Sequence, residues 1–314
     1  MSPQPPILRR ESAAASPRHA RLLLMLAAAL SAPLLLSPSS RALSAAPLLP
    51  FSSAPLPPAS PSPRCAPPRA PPPPDDGLEP LEALLADLRA WHRGVTQQQS
   101  LANYVEVVTL LRALAPARAL VFGLGNDSPF YVRANAGAGA ETVFVESEQR
   151  WIEEVLAAHP AAMARAGVRV LQHSYASAAT NVRDAPALLR LGATQRRERL
   201  LMAALPADVL AGGFDVLLVD APDGSSPLAP GRLASIFTAG VLARRGGRAC
   251  GRARVVFVHD VDRAVERAAV AAFFPSSLVA RNETVDKLLR IDIAEGAAED
   301  DDGGAPSAEG GALG

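Results

Sequence analysis

The chain has 314 residues, which allows one or two domains at roughly 100–200 residues each. Hydrophobic residues make up 49%, enough to bury a sizeable core, which excludes a wholly disordered chain. Thirty-one basic residues balance thirty-one acidic ones, so the basic excess of a nucleic-acid binder is missing, and two cysteines, Cys65 and Cys250, exclude a disulfide scaffold and a cysteine-rich zinc module.

Residues 1–21 carry Arg9, Arg10, Arg18 and Arg21 against one acid, Glu11. An apolar run from Leu22 to Leu36 follows, and no charge appears before Arg41. A signal anchor, a cleaved secretory signal and an organellar transit peptide share this pattern. The uncharged segment 22–40 suits an anchor, although Pro33 interrupts it; Ser44-Ala45-Ala46 suits cleavage. Arginines ahead of the apolar run place the N-terminus in the cytosol and the remainder in the lumen. Fourteen of the thirty prolines fall between Pro38 and Pro74, so residues 41–77 read as a stiff, solvated stem with no core of its own. Residues 295–314 are acidic and rich in Gly and Ala, the composition of a disordered tail. The folded domain is expected over residues 78–294.

Within it, Leu81, Leu84, Leu85 and Leu88 recur at helical spacing, and a second helix is expected over Val105–Leu114 after Gln97-Gln98-Gln99-Ser100. Short apolar runs predict strands at Ala119–Gly123, Thr142–Val145, Val168–Leu171, Phe214–Val219 and Arg254–Val258. Helical patterns separate them at Trp151–Ala158 and Ser235–Ala243, and another follows at Val261–Phe273. Strands alternating with helices predict an α/β fold with a mostly parallel sheet covered on both faces. In such sheets ligands bind beyond the carboxyl ends of the strands. Gly123 and Gly125, Glu146, Asp220, and His259 with Asp260 all fall at those ends.

Val121-Phe122-Gly123-Leu124-Gly125-Asn126-Asp127-Ser128 is a strand running into a glycine turn. Glycines there let the backbone approach a ligand closely. The third glycine of a dinucleotide fingerprint is replaced by Ser128, and the Gly-Lys-Ser/Thr of a phosphate loop is missing. An ordinary tight turn has the same sequence signature. Glu146 follows Gly125 by 21 residues, the position from which an acid accepts hydrogen bonds from a ribose diol. Without a pyrophosphate loop, S-adenosylmethionine fits better than NAD. An acid capping the next helix would occupy the same place.

Asp220 ends an apolar strand, where it can bind an amine, a metal or a substrate proton, or simply backbone N–H groups. His259 can act as a general base near neutral pH. Asp220, His259 and Asp260 together also offer oxygen and nitrogen ligands for a divalent ion. Arg232, in Pro230-Gly231-Arg232, presents a planar fork that matches a carboxylate, such as that of a sugar acid; a structural arginine bonded to loop carbonyls is the alternative. Asn126-Asp127-Ser128 and Asn282-Glu283-Thr284 are glycosylation sequons.

These blocks, VFGLGNDS (121–128), Trp151-Ile152, FDVLLVDAP (214–222), APGR (229–232) and VFVHD (256–260) with Arg263 and Glu266, resemble the plant polysaccharide-biosynthesis domain family, whose best-known members are glucuronoxylan 4-O-methyltransferases. The resemblance runs from about Leu78 to Ile293. It implies a Rossmann-like S-adenosylmethionine-dependent methyltransferase fold and a single-pass type II Golgi membrane protein with its catalytic domain in the lumen. The implied reaction is methylation of the 4-hydroxyl of glucuronic acid side chains of xylan. Related branches methylate arabinogalactan, or affect xylan deposition without a clear methyltransferase role. On that reading Gly123, Gly125, Asp127, Ser128 and Glu146 bind the cofactor, Arg232 meets the uronate carboxylate of an acidic polysaccharide, and Asp220, His259 or Asp260 orients or deprotonates the acceptor, with or without a metal ion. No nucleic-acid partner is expected.

Overall fold

The computed structural model describes residues 78–96, 99–175, 181–245 and 254–294. The expected leader (22–40), stem (41–77), acidic tail (295–314) and both cysteines lie outside them. Among the described residues no helix is long and apolar enough to cross a membrane.

Two helices open the domain, α1 (Leu81–Gly94) and α2 (Leu101–Leu114). The second begins one turn earlier than its apolar spacing predicts, because the Ser100 hydroxyl accepts from the Asn103 backbone N–H at 3.4 Å and caps it. The alternation then runs β1 (Arg118–Phe122), α3 (Ser128–Ala134), β2 (Glu141–Glu146), α4 (Gln149–Ala158), the short α5 (Pro160–Met163) and β3 (Val168–Gln172). Three short helices follow, α6 (Ala185–Leu189), α7 (Ala193–Leu200) and α8 (Ala207–Leu210), before β4 (Val216–Val219), α9 (Leu233–Arg244), β5 (Val255–Val258) and α10 (Ala264–Phe273). A hairpin of β6 (Val279–Val285) and β7 (Leu288–Ile293) ends the described residues of the domain.

The strands form one sheet in the order β3-β2-β1-β4-β5-β7-β6. The first five are parallel, and β7 enters antiparallel between β5 and the edge strand β6. The order reverses direction after β1, where β4 pairs on its other side, the switch point at which open α/β sheets bind ligands. This is the Rossmann-like architecture expected from the sequence.

All four residues of β4 and of β5 are buried, as befits strands covered on both faces. Leu120, Phe122, Val143, Val145, Leu217, Val219, Val256 and Val258 pack with Ile236, Ala239 and Leu242 of α9 in one cluster. The alternate residues Val121, Phe144, Leu218 and Phe257 are buried as well. The helix expected over Val261–Phe273 starts only at Ala264, since Asp260 adopts φ +60° and turns the chain out of β5 first. The β6–β7 hairpin was not anticipated: β6 exposes five of its seven residues, so its sequence is polar and lacks an apolar run.

Candidate active site

The carboxyl ends of β1, β2, β4 and β5 converge on one rim. At the end of β1, Gly123 has φ +120°, and a Cβ there would stand 3.3 Å from that of Ala221 in the neighbouring β4 loop. Only glycine lets the two loops approach this closely. The turn is fixed from three sides. The Gly125 N–H donates to the Ser128 hydroxyl at 2.9 Å, Trp151 Nε1 donates to the Leu124 carbonyl at 2.6 Å, and the Leu124 N–H donates to Glu146 Oε2 at 3.3 Å. His159 Nε2 lies 3.1 Å from Asn126 Oδ1, so the first sequon has its side chain engaged.

Glu146 is buried at the end of β2. Its Oε1 accepts from the Ser147 N–H (2.7 Å), the Ser147 hydroxyl (3.1 Å) and the Glu148 N–H (3.2 Å). These bonds fix the turn just before α4 rather than cap the helix, whose N-cap, Glu148, has no side-chain cap bond. Oε2 takes only the long bond from Leu124 and retains acceptor capacity for a ligand hydroxyl. Glu146 can therefore shape this turn and accept from a ligand at once. A glycine cradle beside a buried acceptor is what an adenosine-bearing cofactor needs, and these residues fit S-adenosylmethionine.

Asp220, at the end of β4, is the centre of a second cluster. Its Oδ1 lies 2.9 Å from His259 Nδ1 and 3.2 Å from Arg232 Nη2, and its Oδ2 accepts from Gln99 Nε2 at 2.7 Å. Burial opposes its charge, but the Arg232 guanidinium and the bonds from His259 and Gln99 hold its carboxyl below the usual carboxylate value. An ionised carboxylate only accepts, so the His259 proton sits on Nδ1 and the basic lone pair of the neutral ring on Nε2. That Nε2 is buried and has no hydrogen-bond partner.

Arg232 takes the second of its two expected roles, a structural arginine bonded to loop carbonyls. It is buried rather than open to a substrate carboxylate, and its donors are committed: Nε to the Pro222 carbonyl (3.2 Å), Nη1 to the His259 carbonyl (2.9 Å) and Asp260 Oδ2 (2.9 Å), and Nη2 to Asp220. The reason is electrostatic. Two carboxylates so little solvated need a cation between them, and Arg232 pairs with both. Arg263, with 30% of its side chain exposed, adds a second contact to Asp260 Oδ2 at 2.9 Å. Glu266 beside it is buried, and burial raises its carboxyl above the usual value.

Asp127 and Ser128 play different parts. Ser128 is buried and shapes the turn from inside. Asp127 Oδ2 accepts from the Tyr131 hydroxyl at 2.9 Å. Burial and then the charge of Asp220 push the Asp127 carboxyl up to about 6. The phenols of Tyr131 and Tyr104 are pushed above their ordinary value by burial and by the negative charge of Asp127, so both remain protonated donors.

Asp220, His259 and Asp260 offer ligand atoms that all lie within 4.8 Å of one another. Two carboxylates and an imidazole fit a divalent ion chemically. Arg232 balances the same carboxylates, so an ion and the guanidinium would compete for them. Sequence reasoning missed Gln99, Tyr104 and Tyr131. A polar run before a helix and tyrosines within helices gave no sign that Gln99 meets Asp220, that Tyr131 meets Asp127, or that Tyr104 feels the charge of both.

Residues 103–290 match the model of the family described as IRX15/IRX15L/GXM. Glucuronoxylan 4-O-methyltransferase 1 of Arabidopsis thaliana is 32% identical over 199 residues, 60% of this chain and 66% of that protein. Glucuronoxylan 4-O-methyltransferase 2 of the same plant is 34% identical over 189 residues, 57% of this chain and 61% of that protein. The matched region thus spans a little under two thirds of these relatives. Among solved structures, the SAH-bound methyltransferase PaMTH1 of Podospora anserina superposes with a TM-score of 0.41 at 14% identity, covering 68% of this chain and 88% of that one.

Proposed function

From its membership of the IRX15/IRX15L/GXM family, to which this chain belongs, we propose that it is an S-adenosylmethionine-dependent O-methyltransferase that methylates the 4-hydroxyl of glucuronic acid side chains of xylan. The observation that carries the chemistry is the Asp220–His259 pair, which leaves one basic, buried nitrogen unspent at the rim beside the glycine turn.

When bound, S-adenosylmethionine supplies a methyl group on a sulfonium. Gly123 and Gly125 would let it lie against the backbone, and Glu146 Oε2 would accept from its ribose. His259 Nε2 takes the proton of the acceptor hydroxyl, and Asp220 holds the resulting imidazolium and fixes its tautomer. Arg232 helps hold Asp220 as a carboxylate and pairs with Asp260. A divalent ion, if used, would be held by Asp220, His259 and Asp260 and would polarise the acceptor oxygen as a Lewis acid. With Arg232 committed, Arg263, whose side chain is partly exposed and whose Nη1 has no hydrogen-bond partner, is the arginine of the cluster to meet the uronate carboxylate.

The leader, 22–40, would anchor the chain in the Golgi membrane with the domain in the lumen. A fluorescent fusion that stays in the Golgi is the expected result; a plastid fusion with a cleaved leader would exclude this topology. The activity is tested by supplying S-adenosylmethionine and glucuronoxylan to the purified protein and identifying the methylated sugar.

A further inference from the structure

Asp220 holds two side chains, one on each oxygen. His259 occupies Oδ1, and Gln99, from the segment leading into α2, occupies Oδ2 at 2.7 Å. The carboxylate dictates how the Gln99 amide is turned. Only its NH₂ can donate to an anion, so its carbonyl, Oε1, must face away from Asp220. Gln99 is 4% exposed, and Oε1 is buried with no hydrogen-bond partner. The same is true of His259 Nε2 on the other side of the carboxylate. Buried polar atoms are rarely left without a partner, so two of them flanking one carboxylate at the rim mark groups that a ligand completes. Both are acceptors, and the ligand must therefore bring two donors.

We infer that Gln99 is a specificity-determining residue: its amide oxygen accepts a hydrogen bond from the acceptor-sugar hydroxyl adjacent to the one that is methylated. This rests on the proposed function and deepens it. If His259 faces the 4-hydroxyl of a glucuronic acid, the adjacent hydroxyl is the one on carbon 3, because carbon 5 carries the carboxylate. A neutral amide suits this task better than a charged group, since it satisfies a hydroxyl without adding charge beside Asp220. A site built around such a bond rejects an analogue lacking the hydroxyl, because its own buried acceptor is then left unpaired.

The test compares kcat/KM for two xylo-oligosaccharides, one bearing glucuronic acid and one bearing its 3-deoxy analogue, in the wild type and in Gln99→Met. Methionine keeps the length and removes the amide. The wild type is expected to prefer the intact acceptor at least tenfold, and the variant to lose that preference while still folding and binding S-adenosylmethionine. An undiminished preference in a folded, cofactor-binding variant would overturn the inference and leave the proposed function standing. Equal use of both acceptors by the wild type would also overturn it. Should the variant fail to fold, that wild-type comparison decides alone. Absence of turnover by a folded wild type with either acceptor would defeat the proposed function, and this inference with it.

Discussion

His259 Nδ1 stands 2.9 Å from Asp220 Oδ1 and joins the carboxyl ends of two adjacent parallel strands, β4 and β5, through a single hydrogen bond. The strands themselves are buried and apolar, so the pair is positioned by the most rigid part of the fold. Asp220→Asn keeps the shape but loses the charge that would stabilise an imidazolium. Its kcat is expected to fall by about 10²–10⁴-fold, the usual worth of positioned acid–base groups, with cofactor affinity retained. Near-normal turnover by a folded variant would remove Asp220 from the chemistry.

Arg232→Met tests the buried cation. It leaves Asp220 and Asp260 facing each other without their shared counter-charge, and about 3–5 kcal/mol of stability should be lost. Denaturant unfolding of the variant measures this. A loss below about 1 kcal/mol would place the guanidinium in solvent rather than between the carboxylates.

Arg232 also shows where sequence reading stops. An arginine after Pro-Gly at the rim reads the same whether it faces solvent or two carboxylates, and only the three-dimensional meeting of β4, β5 and α9 decides. Gln99 was invisible for a similar reason: it reaches Asp220 across 121 residues of sequence. The parallel strands were legible because strands buried on both faces must be continuous apolar runs, as Val216–Val219 and Val255–Val258 are. The edge strand β6, with Arg281, Asn282 and Glu283 exposed, carries no such run.

Asp127 gives a pH dependence with a definite sign. Its folded-state value, about 6, lies above that of an unfolded aspartate, about 3.9, so the native state holds the proton more tightly. The associated stability is fully present below about pH 4, falls as pH rises toward 6, and is gone above it. Asp127→Asn should therefore gain stability relative to the wild type between pH 4 and pH 7, by about 1–3 kcal/mol. Thermal unfolding of both proteins across that range checks it. A constant difference would mean that Asp127 titrates as a solvated carboxyl.

Trp151→Phe removes the indole donor to the Leu124 carbonyl while keeping most of the buried ring. The expected cost is about 1 kcal/mol of stability, together with weaker binding of S-adenosylmethionine by calorimetry, since the same bond restrains the glycine turn. Unchanged cofactor affinity would show that Trp151 serves packing alone.

Methyl transfer itself is the most direct measurement. The full-length protein would be given S-adenosylmethionine carrying a labelled methyl group, together with glucuronoxylan, and the polysaccharide would then be hydrolysed to its sugars. Label recovered in 4-O-methylglucuronic acid, and absent with Asp220→Asn, is the expected result. A folded protein that binds the cofactor yet places no label in any glucuronic acid residue would contradict the proposed activity.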